Sequence, residues 1–158
     1  MRVVGVDPGK TTGLVVVQAD ESGWCLLQRS DIAPGEQSER GRDLWDLHDA
    51  VGTAITEHSA DVVVMEELLA YRQATADEKV EAQAAVIMAA YRLGVPLLTY
   101  APVTVRATIC RDGRADAQTI TKTLRFLARL PKQSKRGEAW SAHQYDALAV
   151  ALCHLARS

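Results

Sequence analysis

Four residues far apart in the chain carry the chemistry that this sequence offers: Asp7, Glu66, His143 and Asp146. Asp7 closes the apolar run RVVGVD and stands directly before Pro8-Gly9; Glu66 closes DVVVME; His143 and Asp146 lie in HQYDALAVALCH. The last two are three apart, so on a helix they share one face. Each of the four falls at the end of an element, where a sheet end and a helix start can converge. Three carboxylates and an imidazole in one small space raise one another's pKa unless a cation is present. Mg²⁺ suits such a set, because it takes oxygen ligands and keeps waters that a substrate phosphate can replace. Two such ions about 3.5–4 Å apart stabilise both the attacking and the leaving oxygen of a phosphodiester. The dominance of carboxylates favours a hard divalent ion over Zn²⁺.

Plainer roles compete at each position. An Asp before Pro-Gly often only closes a turn through its own hydrogen bonds. The stretch GKTT suggests a phosphate loop, but GxxxxGK[ST] needs Gly where Val4 stands, and Asp7 inside a phosphate cradle would repel its ligand. A sugar-kinase or actin-like Asp-x-Gly-x-Thr loop fits the residues better, yet that architecture needs two such domains around a nucleotide. Glu67 competes with Glu66; neighbours on a strand point to opposite faces, so one of the two is the ligand. His48 and His58 read as surface helix residues. His154 falls on nearly the face of His143 but about 16 Å along the axis, too far for the same ion. Asp112 and Asp116 read as loop and cap residues, Cys153 as core, and Trp140 as a packing residue with stacking on DNA as the alternative.

The elements that must position these groups are legible from patterning. Residues 2–7 and 12–18 predict two strands joined at Pro-Gly, and 24–32 a third. Ser38 can cap a helix over 39–58, with Leu44, Leu47, Val51, Ala54 and Ile55 at helical spacing. Residues 61–66, with consecutive β-branched side chains, predict a strand buried on both faces. A helix over 74–93 has Val80, Ala84, Ile87, Met88 and Tyr91 on one side and stops at Gly94. A short strand follows over 95–100, a helix from Pro102 to about 109, a helix capped by Asp116 to about 130, the basic loop PKQSKRGE, and a last helix over 140–157. Three antiparallel strands followed by βαβ units make a mixed five-stranded α/β sheet with helices on its faces. The 158 residues suit one domain spanning the whole chain.

Composition excludes several classes. With 47% hydrophobic and 24% charged residues the chain is not a disordered one. No apolar run approaches the ~18 residues of a membrane span. The N-terminus lacks the pattern of a signal peptide, and Cys25, Cys110 and Cys153 are too widely spaced for a zinc knuckle or a disulfide framework. A cytoplasmic location is expected. The net charge of −2 is unevenly spread: residues 106–136 hold nine Lys/Arg against Asp112 and Asp116. Such polarity allows one face to hold a polyanion and another a cation, although a solvated helix face accounts for the same charges.

The ordered set VVGVDPGKTTG, VVVMEELL and HQYDALAVALCH resembles the RuvC family of Holliday-junction resolvases, on a ribonuclease H-like fold. TYAPVTVRATI and FLARLP resemble the segments between, so the likeness spans most of the chain. The resemblance implies that Asp7, Glu66, His143 and Asp146 are catalytic residues and ligands of two Mg²⁺ ions, for which Mn²⁺ substitutes. It implies a homodimer that binds four-way DNA junctions, nicks two strands symmetrically and leaves 5′-phosphates, with a branch-migration helicase as a candidate partner. Lys10, Arg72, Arg106, Arg111, Arg114 and Lys122 are candidates for phosphate contacts. The alternatives are a non-catalytic branched-DNA-binding module and a ribonuclease H-like nuclease acting on flaps or RNA-containing substrates. The chain departs from the family where Leu69 replaces a common aromatic, where Ala117 replaces a common basic residue, and where Ala84, Ala85 and Val86 replace a frequent Gly-Arg-Gly. These changes suit a divergent or phage-type member.

Overall fold

A computed structural model of the chain describes residues 1–35, 39–67, 76–128 and 139–158. Its elements follow in the order β1 (Arg2–Asp7), β2 (Thr12–Asp20), β3 (Gly23–Ile32), α1 (Arg40–His58), β4 (Val62–Glu66), α2 (Ala76–Arg92), β5 (Leu97–Tyr100), α3 (Pro102–Cys110), α4 (Ala117–Leu127) and α5 (Ala142–Leu155). The strands form one sheet in the order β3-β2-β1-β4-β5. The β1/β2 and β2/β3 pairs are antiparallel, and the β1/β4 and β4/β5 pairs are parallel. This is the ribonuclease H-like mixed sheet expected from the sequence. No helix among the described residues is long and apolar enough to cross a membrane.

Strand alternation divides the core into two layers. Val3, Val15, Val17, Val62 and Val64 pack on one face against α3, α4 and α5. Val4, Val6, Leu14, Val16, Val63 and Met65 pack on the other against α1 and α2. The same parity places Asp7 with Val3 on the α5 face, and Glu66 with Val62 and Val64 on that face too. Glu67 follows the parity of Val63 and Met65, lies beyond the strand end and is exposed.

Two expectations are corrected. The apolar side of α2 that the spacing picks out, taken as a core face, points outward: Val80, Ile87, Met88 and Tyr91 are exposed, Tyr91 at 87%. The opposite stripe, Ala82, Ala85, Val86, Ala89 and Ala90, is buried against α1 and the sheet. Both stripes are apolar, and the small one wins because alanines let the helix approach its neighbours closely. His48 is buried rather than on the surface, because it shares a helical stripe with Leu44, Leu47, Val51 and Ile55. Its ring stacks on Trp45 with centroids 5.2 Å apart. His58 is half-buried and in hydrogen-bond contact with Gln28 at 2.8 Å.

Helix ends shift by small amounts. α4 stops at Leu127, and α5 starts at Ala142 behind Ser141, whose side chain forms a capping box with Gln144. Asp116 caps α4 as expected, accepting from the Thr119 amide at 2.7 Å. The N-cap of α1 is Glu39, without a side-chain cap bond. The expected cap Ser38, together with Leu69 and Arg72, lies outside the described residues.

Candidate active site

The Pro-Gly turn after β1 does not use Asp7 for closure. Thr12, almost fully buried, does that work: its hydroxyl donates to the Gly9 carbonyl at 3.1 Å and accepts from the Gly9 amide at 3.3 Å. The Asp7 carboxylate instead meets His143 on α5, with Oδ2 2.9 Å from Nδ1. That contact joins residues 136 apart in sequence.

Two glycines make the contact geometrically possible. A Cβ on Gly13 would stand 2.1 Å from the His143 carbonyl oxygen, and one on Gly5 would stand 2.3 Å from that of Ala147. The first turns of α5 therefore rest directly on the backbone of β1 and β2, a closeness that a bare Cα alone permits. From that seat α5 presents His143 and Asp146 toward the ends of β1 and β4. The Glu66 carbonyl accepts from the Gln83 side chain on α2 at 3.0 Å, which ties the end of β4 to that helix.

The three carboxylates share one electrostatic neighbourhood. Burial first, then the charges of Asp146 and Asp7, push Glu66 up to about 7. Burial first, then Asp7, push Asp146 up to about 6, against the opposing pull of His143, Lys79 and Arg106. Burial raises Asp7 as well, opposed chiefly by its bond to His143. The shifts come first from burial and, for Glu66 and Asp146, then from the negative charge of neighbouring carboxylates. As the side chains stand, the set is not a closed ligand cage: among the described residues no three Asp, Glu, His or Cys groups converge as a metal site. A half-buried, oxygen-rich set of this kind fits a hard divalent cation, which would lower all three pKa values together.

Of the basic candidates, Arg106 stands close enough to act on Glu66 and Asp146. Lys10 is exposed in the β1/β2 turn; Arg111 and Arg114 are exposed on the loop after α3; Lys122 is exposed on α4. Sequence reasoning missed Lys79, one turn into α2, whose charge reaches all three carboxylates. Its only signal was its position a helix start away from Glu66. It also missed Gly5 and Gly13, which read as ordinary strand residues.

The model of the crossover junction endodeoxyribonuclease RuvC family matches residues 3–154. A crossover junction endodeoxyribonuclease RuvC of Pelobacter propionicus is 31% identical over 157 residues, covering 98% of this chain and 86% of the relative. One of Halorhodospira halophila is 31% identical over 155 residues, covering 97% and 89%. The solved structure of Thermus thermophilus RuvC in complex with a Holliday junction substrate superposes with a TM-score of 0.86 at 28% identity, covering 99% of this chain and 94% of that one.

Proposed function

The chain belongs to the RuvC family of crossover junction endodeoxyribonucleases, and from that premise we propose that it resolves four-way DNA junctions by metal-dependent hydrolysis at Asp7, Glu66, His143 and Asp146. The observation that carries the reading is the Asp7–His143 contact between the first strand and the last helix, in the shared field of Glu66 and Asp146. Mg²⁺, two ions per site with Mn²⁺ as substitute, is the proposed cofactor. When bound it supplies Lewis-acid stabilisation of the attacking and leaving oxygens.

The chain's own groups then have separate tasks. Asp7, Glu66 and Asp146 would hold the metal. His143 is held by Asp7 at Nδ1, which leaves Nε2 as the nitrogen that exchanges a proton with water or the leaving oxygen, or that supports the second ion. Water adds to phosphorus, the bond from phosphorus to the 3′-oxygen breaks, and the products carry a 5′-phosphate and a 3′-hydroxyl. Arg106, Arg111, Arg114, Lys122 and Lys10 contact phosphates, so affinity falls steeply with salt. Arg72 belongs to this group on sequence grounds alone.

A homodimer completes the reading. Four-way junctions are two-fold symmetric, and an isologous pair matches that symmetry. The exposed stripe Val80, Ile87, Met88 and Tyr91 on α2 supports self-association, because a contiguous apolar helix face is costly to leave in water. The full chain acts as one unit, with a branch-migration helicase as a candidate partner.

The test is a cleavage panel of duplex, flap, four-way junction and RNA–DNA hybrid, with and without Mg²⁺. Paired nicks in the junction that require Mg²⁺ support the proposal. Junction binding without nicking points to a non-catalytic module; preference for flaps or hybrids points to another nuclease specificity.

A further inference from the structure

The sheet's edge strand β3 reaches across to the start of α5. Asp31 accepts from the Ser141 hydroxyl at 2.7 Å and from the Gln144 side-chain amide at 3.0 Å. Arg29 donates to the Gln144 side-chain oxygen at 2.8 Å and to the Ala139 carbonyl at 3.2 Å. Its guanidinium also lies 5.0 Å over the Trp140 ring, which stacks on Tyr145. Gln144 is buried, and its amide is matched on both sides: its N–H faces the carboxylate and its oxygen faces the guanidinium. Buried amides fixed at both ends are held in one orientation.

This network coincides with the glycine seat. Asp31 pairs with Gly13 across the β2/β3 ladder, and Gly13 is where the His143 carbonyl rests on the sheet. Ser141 and Gln144 bracket His143 in the chain. The first turn of α5 is therefore pressed on the sheet at Gly13 and gripped from the side by the residue next to it. Helix start residues need only a cap to satisfy their amides, and the Ser141–Gln144 box already supplies one. The additional bonds to Asp31 and Arg29 add lateral and rotational fixation, which a cap does not provide.

Resting on the functional reading above, we propose that Asp31 and Arg29 are positioning residues, acting through Gln144 and Ser141 to fix the angle at which His143 meets Asp7 and the scissile phosphate. Neither touches the reacting atoms. Their effect is on the rate of the bound complex, because small misplacement of a reacting group costs rate far more than it costs binding.

Charge exchange across the clamp tests this with little change in shape. Gln144→Glu keeps the capping box and the acceptor for Arg29 but sets a carboxylate against Asp31. Asp31→Asn keeps one acceptor for Gln144, since the Ser141 hydroxyl also accepts. The double variant Asp31→Asn/Gln144→Glu restores a donor facing an acceptor at every contact. Single-turnover cleavage of a four-way junction in Mg²⁺, at mildly alkaline pH and well below the unfolding midpoint, should fall about tenfold to a hundredfold for Gln144→Glu. Asp31→Asn should stay near wild type, and the double variant should recover most of the loss. The junction Kd measured without divalent ion should be the same for all four proteins. Wild-type cleavage by Gln144→Glu overturns the proposal, as does a double variant no faster than Gln144→Glu. A lowered unfolding midpoint with unchanged cleavage rate overturns it too, since the network would then be only structural. Asp7→Asn run alongside separates the two readings: if that variant cuts normally the active-site assignment fails, whatever the clamp variants do.

Discussion

Helices α5 and α2 pack on opposite faces of the same sheet and both border the three carboxylates, yet they are finished in different ways. α5 is buried from Gln144 to His154, apart from Asp146, and lies in contact with the backbone at Gly5 and Gly13. α2 buries a stripe of alanines and one valine and leaves its larger apolar side chains outside, Met88 at 64% and Tyr91 at 87% exposure. The helix that carries reactive groups is completed by the chain itself, with two missing Cβ atoms and a lateral clamp. The helix that carries none is left with an apolar face to cover. On the proposed reading this separates two jobs: α5 sets the chemistry within one protomer, and α2 sets how two protomers meet a two-fold substrate.

The sharpest way to break the comparison is at the α5 contact. Asp7→Asn should cut cleavage by about a thousandfold or more, since metal-held charge stabilisation is worth several kcal/mol. Junction affinity and oligomeric state should stay unchanged, read by gel shift and sedimentation. A variant that cuts normally would remove the site from this end of the sheet. Next in size, Gly13→Ala adds a methyl where the His143 carbonyl sits. It should cost about 1–3 kcal/mol of stability by overpacking and about a hundredfold in rate by displacing the first turn of α5. Calorimetry and single-turnover cleavage measure the two losses.

The mirror experiment is on α2. Met88→Asp places a charge in the exposed stripe and should weaken self-association by about 2 kcal/mol or more if the residue is central to a dimer. Sedimentation at falling concentration would show monomer, and junction affinity should drop with it. Retained thermal stability would confirm that α5 and the core are untouched; an unchanged oligomeric state would leave the stripe for some other partner.

The smallest effect concerns charge. Glu66 is raised from 4.5 to about 7 and Asp146 from 3.8 to about 6. In metal-free protein the folded state therefore keeps protons that the unfolded chain has already released within those windows. The contribution of these groups is fully present below the unfolded pKa values and is lost as pH rises through the folded ones. In chelator, the unfolding midpoint of Glu66→Gln should gain on wild type as pH rises from about 4.5 to about 7, and Mg²⁺ at neutral pH should close the gap. A pH-independent difference would mean that Glu66 is not held above its ordinary pKa in the folded protein.

Patterning along the chain was enough to read the order of elements, because strands buried on both faces and helices with regular apolar spacing announce themselves locally. Asp7, Glu66, His143 and Asp146 stood out for a related reason: each is a polar group at the end of an apolar element. Strand parity, once the faces were known, set Glu66 apart from Glu67. The inward side of α2 was not legible, since apolar residues lie on both of its sides and close packing chose the smaller ones. Nor was the burial of His48, whose helical stripe contradicts its polarity. The role of Gly5 and Gly13 was hidden as well, because a glycine in a strand has no side chain to declare a purpose, and only the approach of a helix 130 residues later in the chain supplies one. Nothing in the local pattern of the third strand marks Arg29 and Asp31, whose partners on and before α5 lie more than 100 residues away. The sequence by itself determined which groups are available and which elements carry them, because those are local properties of propensity and spacing. The tertiary structure alone decided their angles, their shared field and the grip on His143, because these depend on contacts between segments that no local pattern relates.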